Sequence, residues 1–171
     1  MIYLLDANTL IDAKRDYFQF ERVPEFWDWI VYQGEQGNIK VPIEVYEEFE
    51  EAKKADGSRD ALAEWAARAD VREVMLLDEA ADPVYVQEVT YTGYASDLSD
   101  DEILKVGRDP FLISYAFVKP DQRVIVSTEV AKPSKSRANR KIPDVCNDLG
   151  IRCINNFDLL TELDFRTGWR S

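Results

Sequence analysis

Short apolar runs alternate along this chain with longer segments whose apolar residues recur at helical spacing. Ile2–Leu5 is apolar throughout, too short for a helix and suited to a strand buried on both faces. We also predict strands over the mainly apolar runs 39–41, 124–126 and 151–154, and a further strand over 71–77. Helices are predicted between these strands, and the alternation indicates an α/β fold with a central, mainly parallel sheet.

Prolines and capping residues mark where the predicted helices begin. Pro24 and Pro42 stand at the first turns of helices predicted over 24–36 and 43–54, and Ser99 with Glu102 matches a capping box. The other predicted starts are Ser58 for a helix ending near residue 69, Asp82-Pro83, Asp109-Pro110, Pro143, and a closing helix over 157–163.

Composition restricts the chemistry. The 171 residues, 46% of them hydrophobic, fit a single domain spanning 1–171. The absence of histidine excludes Ser-His and Cys-His catalysis and any histidine-bound metal centre built from this chain alone. Cys146 and Cys153 are interpreted as core residues in a reducing compartment. No apolar run suits a membrane span or a signal peptide, so we expect a cytoplasmic protein without membrane contact.

The charge of the chain is uneven. A net charge of −12 opposes general binding to nucleic acid. Residues 132–141 nevertheless contain five cations and no acid, and we call them the basic segment: Lys132, Lys135, Arg137, Arg140 and Lys141. Such a segment is suited to contacts with phosphates. Its loop-forming residues also allow a second interpretation, a solvated connection without a ligand.

Four acids stand at the ends of predicted elements. Asp6 follows the first strand, Asp109 opens a helix, and Glu129 follows the strand 124–126. Glu48 lies at the edge of the apolar arc of its helix. That arc is formed by Val45, Phe49 and Ala52. Helix capping by Asp6 and Asp109, and a boundary position for Glu48, are the structural alternatives. In open α/β sheets, the crevice outside the carboxyl ends of the strands holds the chemistry.

Carboxylates gathered at one edge repel one another unless a cation neutralises them. A divalent ion does this and can also activate water and stabilise charge on a phosphoryl oxygen. Oxygen donors favour Mg²⁺ or Mn²⁺. The hydroxyl of Thr128 could orient a ligand or water, and Asp144 competes with Glu129 for the fourth acidic position. The chemistry that this pattern suits is hydrolysis of a phosphodiester.

The order and spacing of these motifs resemble the PIN-domain superfamily of metal-dependent nucleases. The resemblance is carried by Asp6-Ala7-Asn8, Val41-Pro42 ahead of Glu48-Phe49, Asp109 ahead of Leu112-Ile113-Ser114, and Val124-Ile125-Val126 ahead of Thr128. The stretches YLLDANTLIDAKRDYF and FWDW are similar to a branch of bacterial PIN-like proteins. Together these motifs cover most of the chain.

The resemblance implies a three-layer α/β/α PIN-like fold and a Mg²⁺- or Mn²⁺-dependent ribonuclease. It also implies an RNA substrate and the role of toxin in a type II toxin–antitoxin pair, restrained by an antitoxin protein, with a homodimer as a further expectation. Where the family often has a fourth Asp, this chain has Val130, which leaves Glu129 or Asp144 for that position. We assign catalysis to Asp6, Glu48, Asp109 and Glu129, metal binding to Asp6, Glu48, Asp109 and Asp144, and RNA binding to Asn8, Thr128, Lys132, Lys135, Arg137, Arg140 and Lys141.

Two other functions stay open at this point. Phosphatases of the haloacid dehalogenase type also begin with an apolar strand ending in Asp, but the position of their second Asp is Asn8 here. A PIN-like or receiver-like module could instead bind a metal or a partner without turnover.

An aromatic cluster early in the chain suggests where a partner would bind. It consists of Phe18, Phe20, Phe26, Trp27 and Trp29. Phe26, Trp27 and Trp29 cannot share one narrow stripe of a helix, so we predict an exposed aromatic surface that a partner covers. The alternative is that the loop 16–23 folds back over these side chains.

Overall fold

A four-stranded parallel sheet forms the centre of the computed structural model, which describes residues 1–51 and 57–170. The strands are β1 (Ile2–Leu5), β2 (Ile39–Lys40), β3 (Arg123–Val126) and β4 (Cys153–Ile154). They lie in the order β2-β1-β3-β4, so the chain crosses over between strands. The predicted α/β class and central parallel sheet are confirmed, and the arrangement is consistent with three α/β/α layers.

Ten α-helices occur within the described residues. They are α1 (Ala7–Asp12), α2 (Pro24–Glu35), α3 (Ile43–Glu50), α4 (Ala61–Ala66), α5 (Ala69–Met75), α6 (Pro83–Val89), α7 (Asp100–Val106), α8 (Asp109–Phe117), α9 (Ile142–Asp148) and α10 (Asn156–Glu162). Two π-helical turns, Ala13–Tyr17 and Thr90–Tyr94, extend α1 and α6, and a 3₁₀ turn covers Arg137–Asn139. None of the described helices is long and apolar enough to cross a membrane.

The register of the two central strands positions the candidate site. Leu5 of β1 pairs with Val126 of β3, so both strands end at the same level. The backbone N–H of Asp6 then donates to the carbonyl of Val126 at 2.9 Å. Thr9 adds a side-chain contact, because its hydroxyl donates to the same carbonyl at 2.9 Å. These contacts fix the start of α1 beside the carboxyl end of β3.

One predicted element is wrong, and another is shorter than predicted. The segment 71–77 is mostly helical, in α5, and Leu76 forms only an isolated bridge with Val41. Val71 and Met75, one helical turn apart, are both fully buried, which is a helical pattern that the apolar run concealed. The helix predicted from Ser58 begins at Ala61, because Asp60 caps it. Of the helix predicted over 43–54, residues 52–54, including Ala52, lie outside the described residues.

The predicted exposed aromatic surface is also wrong. Phe26, Trp27 and Trp29 are all buried, and Trp29 is only 1% exposed. Phe18 stacks on Phe26 with ring centroids 4.2 Å apart, and Phe20 stacks on Trp27 at 3.9 Å. The loop therefore folds back over α2, as the alternative stated. Phe165 from the C-terminal segment packs against the same aromatic group, so α2 is covered over a wide arc.

Candidate functional site

Asp6 directly follows the carboxyl end of β1 and is buried at this edge of the sheet. Its side chain is 6% exposed, and its Oδ2 accepts a hydrogen bond from the hydroxyl of Ser127 at 3.0 Å. Burial raises the pKa of Asp6 to about 6, and repulsion from Glu129 and Glu48 adds to the increase. The Ser127 hydrogen bond acts in the opposite direction, because it stabilises the ionised carboxylate.

Asp109 lies at the first position of α8 and faces the same site. Its pKa is raised to about 7. Burial is the largest cause, and repulsion from Asp6, Glu129 and Glu48 adds to the increase. The buried Tyr94 donates its hydroxyl to Oδ2 of Asp109 at 3.3 Å. Tyr94 ends the π-helical turn Thr90–Tyr94, so this irregular turn helps to position an acid of the site.

Glu48 approaches the other acids from α3, as its position on the helical arc predicts. Its charge raises the pKa of both Asp6 and Asp109. The side chain is 38% exposed, and its Oε1 lies 3.9 Å from Nε of Arg108. Burial raises the pKa of Glu48, whereas the charge of Arg108 lowers it. Glu48 is therefore the more solvated, outer member of the group.

Glu129 is the fourth acid of the group. It is 19% exposed and forms an ion pair with Lys141. Its Oε2 accepts the backbone N–H of Ile142 at 2.8 Å, which ties the end of β3 to the start of α9. The charge of Glu129 raises the pKa of Asp6 and of Asp109. We call Asp6, Glu48, Asp109 and Glu129 the acidic cluster.

Asp144, the other candidate for the fourth position, has a different contact. Its buried carboxylate accepts the backbone N–H of Lys132 at 2.7 Å. This hydrogen bond holds the basic segment against α9. Glu129, in contrast, raises the pKa of both Asp6 and Asp109 by its charge, which favours Glu129 as the fourth carboxylate of the site.

Asn8 and Thr128 lie two residues after Asp6 and one residue before Glu129 in the chain, respectively. Asn8 is exposed in the first turn of α1. The hydroxyl of Thr128 donates to Oδ2 of Asp12 at 2.6 Å, and Asp12 is in turn paired with Arg15 at 2.7 Å. Asp12 is thus an additional acid near this edge that the sequence analysis did not single out. Its carboxylate is already hydrogen-bonded to Thr128 and paired with the charged side chain of Arg15.

The acidic cluster has the oxygen donors of a divalent-metal site, but these donors are not arranged around a single point. No group of three or more Asp, Glu, His or Cys side chains among the described residues is arranged to hold a metal ion. Mutual repulsion acts over longer distances than coordination, so the pKa shifts and the open arrangement are compatible. The all-oxygen donor set fits Mg²⁺ or Mn²⁺. The ammonium group of Lys141 already supplies one positive charge at these carboxylates.

A cavity of about 220 Å³ lies beside the acidic cluster. Its lining includes Asp109 and Glu129 together with Lys105, Lys132, Lys135, Ala138, Asn139, Arg140 and Lys141. Lys132 and Lys135 are exposed, and their ammonium groups have no hydrogen-bond or ion-pair partner among the residues that the structure describes. Carboxylates and free cations thus line a single depression.

The arginines of the basic segment are already engaged. Arg137 pairs with Asp97 at 2.8 Å and with Glu102 at 2.7 Å. Arg140 donates to the carbonyl of Gly93 at 2.6 Å and pairs with Asp148. These contacts fasten the basic segment to its neighbours, so both arginines act first as structural residues. Among the five predicted cations, Lys132 and Lys135 are the ones best placed to receive a ligand.

Several residues of this site were not predicted from the sequence. Ser127 directly follows β3, so its position at the sheet edge was a usable signal. Tyr94 contacts Asp109 from the end of a π-helical turn, and no sequence pattern indicated that contact. Lys105, at the end of α7, donates to Oδ1 of Asn139 at 2.6 Å and joins the cavity through the tertiary fold.

Comparison with known families adds one assignment. A family model described as "Domain of unknown function (DUF4411)" matches residues 3–167. No curated protein and no solved structure matches the chain. Because the matched residues cover nearly the whole sequence, the chain belongs to the DUF4411 family.

Proposed function

We propose that this chain is a PIN-type ribonuclease that hydrolyses RNA phosphodiesters with Mg²⁺ or Mn²⁺. The observation that carries the proposal is the convergence of four carboxylates from separate elements at one sheet edge. The charges of Glu48 and Glu129 raise the pKa of both Asp6 and Asp109, and the charge of Asp6 also raises the pKa of Asp109. The resemblance of the sequence motifs to PIN-domain nucleases supports the same reaction.

Each residue of the site has a defined role in this proposal. Asp6, Glu48 and Asp109 hold the divalent ion, with Glu129 as the fourth carboxylate. The chemistry that the ion supplies when bound is neutralisation of phosphoryl charge and activation of water. Ser127 orients Asp6, and Tyr94 orients Asp109.

The raised pKa values fit a site that receives a cation. With a pKa of about 7, Asp109 is about half protonated at neutral pH. A bound divalent cation favours the ionised carboxylate and therefore releases that proton. Ion binding is accordingly expected to be weaker in acid and stronger above pH 7.

The basic segment would bind the substrate. Lys132 and Lys135 line the cavity next to Asp109 and Glu129, where their ammonium groups can contact phosphates. Lys105 enters the same cavity from α7. Such contacts hold the backbone of an RNA strand without reading its bases, so this part of the site is expected to be tolerant of sequence.

We extend the proposal to partners and location. The protein acts in the cytoplasm as the toxin of a type II toxin–antitoxin pair, is restrained by an antitoxin protein, and can form a homodimer. The resemblance to PIN-domain toxins supports these assignments. An antitoxin would dock away from Phe26, Trp27 and Trp29, because these side chains are buried within the protein itself.

The test is cleavage of mixed cellular RNA by the purified protein, with Mn²⁺ or with EDTA. A phosphate monoester, p-nitrophenyl phosphate, is assayed in parallel. The proposal predicts RNA shortening only with Mn²⁺ and no release of nitrophenol. Hydrolysis of the monoester alone would favour the phosphatase alternative. Intact RNA from a protein that binds Mn²⁺ would favour a non-catalytic module.

A further inference from the structure

Lys141 is the one described residue of the basic segment whose side chain forms an ion pair with the acidic cluster. Its ammonium group pairs with Oε1 of Glu129, and its side chain is 34% exposed. The hydrogen bond to Glu129, with further attraction from Asp109 and Asp6, raises the pKa of Lys141. The ammonium group is therefore attracted by three of the four carboxylates of the acidic cluster.

Further hydrogen bonds hold Glu129, the partner of this ammonium group, in place. Lys141 immediately precedes α9, and the next residue, Ile142, donates its backbone N–H to the other oxygen of Glu129 at 2.8 Å. The backbone N–H of Glu129 donates in turn to the hydroxyl of Ser127 at 3.2 Å, the same hydroxyl that donates to Asp6. One connected set of hydrogen bonds thus runs from Lys141 to Asp6.

We propose that Lys141 is an internal cation that neutralises the acidic cluster in the metal-free protein and competes with a divalent ion for it. The inference rests on the proposed function, since it concerns the same metal site. A positive charge reduces the repulsion among these carboxylates, and the ammonium supplies one charge where a divalent ion supplies two. When the ion binds, Glu129 exchanges its Lys141 partner for the ion and joins the other three carboxylates around it.

This competition predicts that removing Lys141 increases the affinity for the metal ion. A residue that merely supports a metal site weakens metal binding when it is removed. Removal of Lys141 takes away both a competitor for Glu129 and a positive charge near the ion, so metal binding becomes tighter. The loss of one unit charge within several ångströms of a divalent ion gives an expected increase in affinity of roughly tenfold.

The experiment measures Mn²⁺ affinity by isothermal titration calorimetry at pH 7.5. Lys141→Met and Lys141→Gln remove the charge, and Lys141→Arg keeps it. Lys119→Met is the matched control, because it removes a lysine that pairs with Glu79 beyond the opposite end of α8 from Asp109. We expect roughly tenfold tighter binding for the first two variants, and affinities within about twofold of the wild type for the other two.

Thermal unfolding supplies a second readout. Without metal, Lys141→Met and Lys141→Gln are expected to melt at lower temperature than the wild type, because the carboxylates lose their internal cation. Added Mn²⁺ should raise the Tm of these variants more than it raises that of the wild type. The use of two neutral variants keeps the test valid if one of them folds poorly.

Two results would overturn the inference in distinguishable ways. Unchanged or weaker Mn²⁺ binding by both neutral variants, with clear binding by the wild type, would show that Lys141 does not compete, while the proposed metal site would stand. Absence of Mn²⁺ binding in the wild type and in every variant would overturn the proposed metal site together with the inference.

Discussion

The hydroxyl of Ser127 donates to Oδ2 of Asp6 at 3.0 Å, across 121 positions of sequence. The pairing of Leu5 with Val126 sets these two side chains level at the ends of neighbouring strands. The same hydroxyl accepts the backbone N–H of Glu129 at 3.2 Å. A single serine therefore positions two members of the acidic cluster.

Replacing this serine is expected to change the titration of Asp6. In Ser127→Ala the pKa of Asp6 should rise above about 6, because the hydrogen bond that stabilises its ionised form is lost. The loss of the buried hydrogen bond should also lower the free energy of unfolding by about 1 kcal/mol. A carboxyl-carbon NMR titration measures the pKa. Ser114→Ala, which removes a buried hydroxyl within α8, is the control and should leave Asp6 unchanged. An unaltered pKa in Ser127→Ala would contradict the assignment.

Stability of the metal-free protein should fall as the pH rises from 4 to 8. The unfolded chain loses the protons of Asp6 and Asp109 near their ordinary pKa of 3.8, whereas the folded protein keeps them until about pH 6 and about pH 7. The folded state binds more protons in this range, so rising pH favours unfolding. The expected contribution is on the order of a few kcal/mol. Urea unfolding at pH 5 and pH 8 measures it.

The double variant Asp6→Asn with Asp109→Asn is the control for this pH dependence. Both amides are neutral at every pH of the experiment, so the stability of the double variant should depend less on pH. Equal pH dependence in the wild type and the double variant would show that these two carboxyl groups are not the cause.

RNA binding should depend on Lys132 and Lys135 more than on the two arginines of the basic segment. Lys132→Ala with Lys135→Ala should weaken binding and reduce the slope of log K against log salt by roughly 1.4, as expected for two lost phosphate contacts to a single strand. Arg137→Ala should chiefly lower the Tm, because that side chain pairs with Asp97 and Glu102. An unchanged salt slope in the double lysine variant would exclude these two contacts.

Trp29 is expected to stabilise the folded protein. Trp29→Ala should cost about 3–5 kcal/mol of unfolding free energy, because it empties a fully buried site. Tyr32→Ala on the same helix is the control, since Tyr32 is 39% exposed and should cost much less. Chemical denaturation compares the two variants. A cost below 1 kcal/mol for Trp29→Ala would be inconsistent with the packing of this helix.

The sequence predicted the elements of the site better than it predicted its contacts. Apolar runs and prolines located β1, β3, α3 and α8, because strand burial and helix starts are local properties. The same local rules failed at 71–77, where an apolar run of strand length forms α5. A short apolar run has no period clear enough to separate the two structures.

The partners of each carboxylate depend on the tertiary fold. Lys141 lies 12 positions from Glu129, Tyr94 lies 15 positions from Asp109, and Ser127 lies 121 positions from Asp6. Such pairs are set by strand register and by a π-helical turn, and neither follows from composition or periodicity. The basic segment shows the same limit, because its charge was evident from the sequence whereas the engagement of Arg137 and Arg140 was not.

The most direct test of the proposed active site is the RNA cleavage rate of Asp6→Asn with Mn²⁺ present, compared with the wild type. Asp12→Asn is the matched control, because Asp12 also lies near this edge but is paired with Thr128 and Arg15. We predict that Asp6→Asn stays folded and loses at least about 100-fold in rate, as expected when a group that acts in catalysis is removed. Asp12→Asn should retain most of its activity. Cleavage by Asp6→Asn at the wild-type rate would contradict the assignment of Asp6 to the catalytic site.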